Sequence, residues 1–130
     1  SPRRVGGKMS EGKILKKLQI LFTSVGARVF RNNVGLFETK DGRKVRTGLC
    51  VGSSDLIGWV PMVVTPEMVG KRVAVFASIE VKTANTRTTP VQHAWIQAVN
   101  TAGGIAMIEQ NPMAVMNKIL EIKKAYGQPN

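Results

Sequence analysis

Apolar residues recur at helical spacing near the start of the chain. Ile14, Leu15, Leu18, Leu21, Phe22 and Val25 form one broad stripe. This predicts an amphipathic helix over residues 10–25, with Ser10 as its N-cap and Gly26 as its stop. The pattern then shortens. Arg28-Val29-Phe30-Arg31 reads as a short strand and Asn32-Asn33-Val34-Gly35 as a turn. Residues 36–51 suggest a hairpin around Lys40-Asp41-Gly42-Arg43, because Asp-Gly is a strong turn signal. Asp55 to Val60 is the next predicted strand, ended by Pro61, and residues 63–71 are loop-like. Arg72 to Lys82 is the strongest strand prediction. Its centre, Val73-Ala74-Val75-Phe76-Ala77, is apolar on both faces, which suits the middle of a sheet.

A helical period returns after a polar basic loop over residues 83–88. Thr89-Pro90 supplies an N-cap and a proline at the first helical position. The helix should run to about Ala102, with Val91, Ala94, Trp95, Ala98 and Ala102 on its buried side. Gly103-Gly104 ends it and Ile105 to Ile108 returns as a strand. Asn111-Pro112 repeats the cap-and-proline start for a last helix ending near Tyr126-Gly127. There Lys118, Lys123 and Lys124 suit the negative end of the helix dipole. The order predicts an α/β fold with a mixed central β-sheet flanked by helices. Met9 looks like a natural start, so residues 1–8 read as a vector remnant or basic arm and 9–130 as one domain.

Charge narrows the partners. Nineteen Lys and Arg against eight Asp and Glu give a formal charge of +11, and without Arg3, Arg4 and Lys8 it is still +8. A polyanion such as nucleic acid is the expected partner, ahead of an anionic membrane surface. The single cysteine, Cys50, excludes an internal disulfide and reads as a small core residue in a reducing compartment. No apolar run approaches the length of a membrane span and nothing resembles a signal peptide, so a soluble, intracellular protein is expected.

Against this basic background, two stretches about 25 residues apart carry acids: Gly52-Ser53-Ser54-Asp55-Leu56-Ile57-Gly58 and Ile79-Glu80-Val81-Lys82. Each reads as an apolar strand with a carboxylate at one end. On a strand, Glu80 and Lys82 point to the same face. Acids converging at neighbouring strand ends are costly unless a cation binds between them. Hydrolysis of a phosphodiester needs such a cation. Magnesium prefers oxygen ligands, which Asp55, Glu80 and the backbone carbonyl of Val81 could supply. Lys82 would orient or help deprotonate the attacking water and offset negative charge in the transition state. Taken singly, a Glu-x-Lys is more often a solvated pair and a Ser-Asp more often a turn, so it is the combination that points to a site.

Other chemistries find little support. One His and one Cys exclude a zinc site. No phosphate-binding loop is present, so no nucleotide cofactor is expected. Ser53 and Ser54 lack a histidine relay. His93, next to Gln92, points about 100° away from it on a helix and suits a surface or DNA-backbone contact.

The order of Arg31-Asn32-Asn33-Val34-Gly35, Gly48-Leu49-Cys50-Val51-Gly52-Ser53-Ser54-Asp55-Leu56-Ile57-Gly58, Ile79-Glu80-Val81-Lys82, Gln92-His93-Ala94-Trp95 and Gly103-Gly104 resembles the VRR-NUC family. That family is the virus-type replication–repair branch of the PD-(D/E)XK nucleases. The resemblance spans roughly residues 10–110; Ser54 replaces the proline of the superfamily name, as is usual in this branch. It implies a restriction-endonuclease-like core and Mg2+ or Mn2+ dependence. Asp55, Glu80 and Lys82 match the family's metal-binding and catalytic positions, and Gln92 its additional glutamine. Glu11 matches an acidic position that many members carry near the start of the first helix. Helical spacing also puts Glu11 on the face of Leu15, Leu18 and Phe22, from which it could reach the metal directly or through water. The alternative for Glu11 is a first-turn glutamate complementing the helix dipole.

Around the proposed site, Arg28, Arg31, Lys40, Arg43, Lys44, Arg46 and Arg87 suit phosphate contacts that position a duplex without reading its sequence. Most of the few aromatic residues fit core positions, which disfavours a base-stacking platform. Stand-alone members of the family resemble the phage and bacterial kind that dimerise and cut four-way (Holliday) junctions. The resemblance therefore implies a homodimeric endonuclease on branched DNA in the cytoplasm of a bacterial or phage-infected cell. Ile20, Met113 and Met116 are candidate interface residues, core packing being the alternative for the methionines. Flap cleavage by a monomer and a non-catalytic DNA-binding module are the competing expectations.

Overall fold

The computed structural model describes residues 9–129, so the predicted remnant or arm at residues 1–8 lies outside the described residues. The chain forms two compact units, Ser1–Val63 and Val64–Asn130.

The first unit opens with α1 (Glu11–Ser24), where the Ser10 hydroxyl accepts the Lys13 N–H as the predicted N-cap. Gly26 ends it in the left-handed region at φ 81°, where a side chain would be strained. α1 lies against β1 (Arg28–Arg31) through its apolar stripe, with Leu15 buried and Leu18 and Phe22 half-buried. Gln19 Nε2 adds a hydrogen bond to the Val29 carbonyl at 3.2 Å. A hairpin follows, β2 (Gly35–Glu38) and β3 (Lys44–Thr47), paired Glu38 to Lys44 and Leu36 to Arg46.

β4 (Leu56–Trp59) pairs antiparallel with β1, and Gly58 sits opposite Val29. A Cβ at Gly58 would lie 1.8 Å from the Arg28 carbonyl oxygen, so only glycine permits this approach. The Phe30 and Trp59 rings meet at 5.4 Å.

The second unit is a βαβ crossover with an added helix. β5 (Ala77–Val81) pairs parallel with β6 (Ile105–Glu109), joined by α2 (Pro90–Thr101), which covers both strands. α3 (Pro112–Ala125) packs on β6, with Asn111 as its cap. Val99 and Ala106 form the buried centre. The Asn100 side chain donates to the Ala106 carbonyl and accepts the Ala106 N–H, at 3.0 and 2.8 Å. This bidentate contact satisfies the backbone of β6 on the side away from β5.

The predicted α/β class holds, with parallel and antiparallel pairing both present; among the described residues the pairing is organised as three two-stranded ladders. Three local expectations are corrected. The strand predicted from Arg72 begins only at Ala77, because its partner begins at Ile105, just after the Gly103-Gly104 turn; the Ile105 N–H reaches back to the Phe76 carbonyl, and β6 offers nothing for residues 72–75 to pair with. Val73 and Val75 accordingly stand exposed. On α2 the expected Trp95, Ala98 and Ala102 are half-buried, but the inward face also takes in Ile96 and the buried Val99, while Val91 and Ala94 are exposed. Cys50 lies in an exposed bend outside any strand. Ile20, Met113 and Met116 are exposed as well, so the methionines do not pack as core. No helix among the described residues is long and apolar enough to cross a membrane.

Candidate active site

β5 alternates strictly. Ser78, Glu80 and the following Lys82 are half-buried on one face, and Ala77, Ile79 and Val81 are exposed on the other. The half-buried face meets α2. Trp95 Nε1 donates to Ser78 Oγ at 2.9 Å, and Gln92 Nε2 donates to Glu80 Oε1 at 2.7 Å. Lys82 Nζ stands 3.3 Å from the same Glu80 oxygen. Three predicted site residues, Glu80, Lys82 and Gln92, are thus drawn together at the C-terminal end of β5. A cavity of about 160 Å³ opens beside them, lined by Ser78, Glu80, Val91, Gln92, Trp95 and Ile96.

Gln92 is held by more than its contact with Glu80. It is the N3 residue of a capping box: its backbone N–H donates to the Thr89 hydroxyl at 3.2 Å, and its Oε1 accepts the Thr89 N–H at 3.0 Å. With Oε1 committed to the cap, the amide nitrogen is the atom left to face the carboxylate. A glutamate would satisfy the same cap but set like charges together at Glu80, which explains why the amide suits this position. An ion pair as exposed as Lys82–Glu80, with Glu80's side chain 36% accessible, contributes about 1 kcal/mol at most.

The ladder determines where the Val81 carbonyl points. Ile105 N–H bonds to the Phe76 carbonyl and Lys82 N–H to the Glu109 carbonyl, so residues 76, 78, 80 and 82 turn their backbone groups toward β6. Val81 turns its carbonyl to the opposite edge of β5, which carries no ladder among the described residues. Both side-chain contacts of Glu80 fall on Oε1; among the described residues Oε2 receives none.

Asp55 and Glu11 belong to the first unit. Asp55 is exposed at the bend that leads into β4, its carbonyl accepting the Asn32 N–H at 2.8 Å. Glu11 is exposed in the first turn of α1. Among the described residues no three His, Cys, Asp or Glu side chains gather as a metal cage.

The predicted phosphate-binding residues differ in their freedom. Arg28 lies over the Phe30 ring at 5.2 Å. Arg43 Nε pairs with Asp41 at 3.0 Å within the hairpin turn. A hydrogen bond from the Thr39 hydroxyl and then the Arg43 pair hold the Asp41 carboxyl below its ordinary 3.8. Arg31, Lys40, Lys44, Arg46 and Arg87 are exposed. His93 Nε2 is hydrogen-bonded to Thr88 Oγ1 at 2.7 Å on the surface. Phe22, Phe30, Trp59, Phe76 and Trp95 are half-buried, as expected for most of the aromatic residues, while Phe37 and Tyr126 are exposed. Asn32, read in the sequence as part of a turn and of the Arg31–Gly35 stretch but given no role of its own, proves to be a hub of hydrogen bonds around the loop before Asp55.

Residues 15–110, the span that contains β1, β4, β5 and α2, match the family model of the VRR-NUC domain. The chain belongs to the VRR-NUC family. No curated protein and no solved structure matches it. As a VRR-NUC domain it is a nuclease domain, and the family points to DNA as its substrate. Within the second unit, Glu80 contacts both Lys82 and Gln92 through one carboxylate oxygen.

Proposed function

We propose that this VRR-NUC chain is a divalent-metal-dependent endodeoxyribonuclease that cuts branched DNA, with the four-way junction as its preferred substrate. The contact of Glu80 with both Lys82 and Gln92 on one half-buried face of β5 is the observation that carries this reading.

The donor set suits a hard cation. On β5, Glu80 offers Oε2 and Val81 a carbonyl outside the β5–β6 ladder, and no thiolate or imidazole is involved; Asp55 and Glu11, both on the first unit, are the further acids this reading calls on. Mg2+ or Mn2+ bound there would neutralise phosphate charge and favour attack by water. Gln92 fixes the Glu80 carboxylate through Oε1 and so directs the other oxygen outward. Lys82, two residues along the same face, offsets charge that builds on the phosphate and orients the attacking water. The exposed cations Arg31, Lys40, Lys44, Arg46 and Arg87, with Arg28 and Arg43, hold the duplex through its phosphates.

Two symmetric incisions require two active sites, which a C2 homodimer supplies. The exposed Ile20, Met113 and Met116 are available for such an interface. The test is cleavage of labelled four-way junction, flap and linear duplex with Mg2+, Mn2+ or chelator, beside Lys82→Ala. Metal-dependent junction cutting that the variant loses, while it still binds DNA, is the expected result. Equal cutting by the variant would remove Lys82 from the mechanism. Flap cutting by a species that sediments as a monomer would replace the junction assignment.

A further inference from the structure

Asn32 makes four hydrogen bonds that all serve one segment. Its backbone N–H donates to the Asp55 carbonyl at 2.8 Å. Its side-chain Nδ2 donates to Ser53 Oγ at 2.7 Å and to the Ser54 carbonyl at 2.8 Å. Its Oδ1 accepts the Leu49 N–H at 2.9 Å. The Ser53 hydroxyl in turn donates to the Cys50 carbonyl at 2.7 Å, which closes the loop on itself. The Asn32 amide therefore has both of its ends occupied, one by the start of the loop and one by its end.

Beyond Asn32, the loop is held by its own turn, in which the Ser53 N–H donates to the Cys50 carbonyl at 3.0 Å. Leu49, Cys50, Val51 and Asp55 are exposed, and the segment makes no ladder among the described residues before Leu56. Asn32 itself is half-buried and directly follows β1, the partner of β4. Its position is thus tied to the sheet that carries Asp55. A loop anchored at both ends by one amide has its exit, at Asp55, fixed relative to that sheet.

We propose that Asn32 is a positioning residue of the nuclease, clamping residues 49–54 so that Asp55 is presented from β4 in one orientation. This rests on the reading of Asp55 as a metal-binding acid. Asn32 touches neither substrate nor metal and acts only through the loop. Displacing a reacting group by about 1 Å costs on the order of 100-fold in rate. Loss of the clamp should therefore appear in kcat and in metal affinity, with little effect on DNA binding.

The experiment compares wild type, Asn32→Ala, Ser53→Ala and Asp55→Asn. Cleavage of branched DNA gives kcat and KM, and paramagnetic resonance of Mn2+ without DNA gives metal affinity. Amide exchange at Leu49 reports the clamp, and thermal unfolding reports the fold. Asn32→Ala is expected to lower kcat by about 10- to 100-fold and Mn2+ affinity by about 10-fold, with KM within about twofold. Leu49 exchange should accelerate in the same variant. Ser53→Ala removes one of the two Nδ2 acceptors and keeps the Leu49 contact, so it should show a smaller loss in the same two quantities. That keeps the proposal open to test even if Asn32→Ala unfolds. Accelerated Leu49 exchange with wild-type kcat and Mn2+ affinity, beside an inactive Asp55→Asn, would overturn the role of Asn32 alone. An Asp55→Asn protein that cuts and binds Mn2+ like wild type would instead remove the reading on which the role rests.

Discussion

Gln92 joins two structures, the N-terminal cap of α2 and the carboxylate at the end of β5, and the two can be separated by mutation. Thr89→Ala removes the hydroxyl that accepts the Gln92 N–H but leaves the side-chain amide against Glu80. Loss of a cap of this kind costs about 1 kcal/mol. Gln92→Ala removes its own half of the box and also the bond to Glu80. Bonds to a charged group contribute about 1.5–3 kcal/mol, and the accessibility of Glu80 argues for the lower end. The second variant should therefore lose about 2 kcal/mol. For a domain of this size each kcal/mol lowers the melting temperature by about 4 °C, giving drops of about 4 °C and about 8 °C. Activity should divide differently. Thr89→Ala is expected to keep kcat within about twofold, because Glu80 retains both donors, whereas Gln92→Ala should lose about 10-fold or more. Gln92→Glu supplies the third arm: the cap acceptor survives, but a like charge faces Glu80. At 4 Å and an effective dielectric near 20 that repulsion reaches about 4 kcal/mol, and solvent exposure reduces it to about half. Cutting should be lost there although the cap remains. Thermal melts and single-turnover cleavage measure both effects. Losses of kcat in Thr89→Ala equal to those in Gln92→Ala would show that Gln92 acts only as a helix cap.

Other expectations follow from single contacts. Gly58→Ala inserts a methyl group into the β1–β4 contact at Arg28 and should destabilise the first unit by about 3 kcal/mol, seen as a fall in the urea midpoint; an unchanged midpoint would contradict the close approach. Arg46→Ala should reduce the slope of log Kd against log salt by about one without changing preference among duplex sequences, as for a phosphate contact. Asp41 has its folded pKa held below the ordinary 3.8, so the hairpin contact it makes is fully present above that value and is lost as pH falls through the depressed one. Proton resonances of the Arg43 side chain should therefore shift only in the acid range below about pH 4, and Asp41→Asn should abolish the transition.

Signals that operate over a few residues were legible in the chain. Ser10, Thr89-Pro90 and Asn111-Pro112 all cap the helices they were expected to cap, and the Asp41-Gly42 turn forms, because each depends on backbone geometry within four residues. What failed depended on a distant partner. The run from Val73 to Val75 is as apolar as any strand, yet β6 does not extend to it, because Ile105 lies opposite Ala77 and Gly104 precedes it. The same distance hid the facing of α2. Composition favours Val91 and Ala94 as core residues, but the bonds of Gln92 to Glu80 and Trp95 to Ser78 set the helix rotation, and polar contacts do not show in a hydrophobic stripe. At the site, Glu80 and Lys82 were legible through strand alternation and Gln92 through resemblance alone. That the capping box aims the Gln92 amide could be recovered from Thr89-x-x-Gln92 only once the carboxylate was known to lie beyond it. Asn32 was the hardest to foresee. Its partners are backbone groups 17 and 22 residues away and a hydroxyl 21 residues away, and a sequence gives no cue that a turn asparagine will close a loop of that length. Local chemistry thus specifies the elements of this nuclease domain, while a few polar side chains reaching across the chain tie together segments that no short-range signal connects.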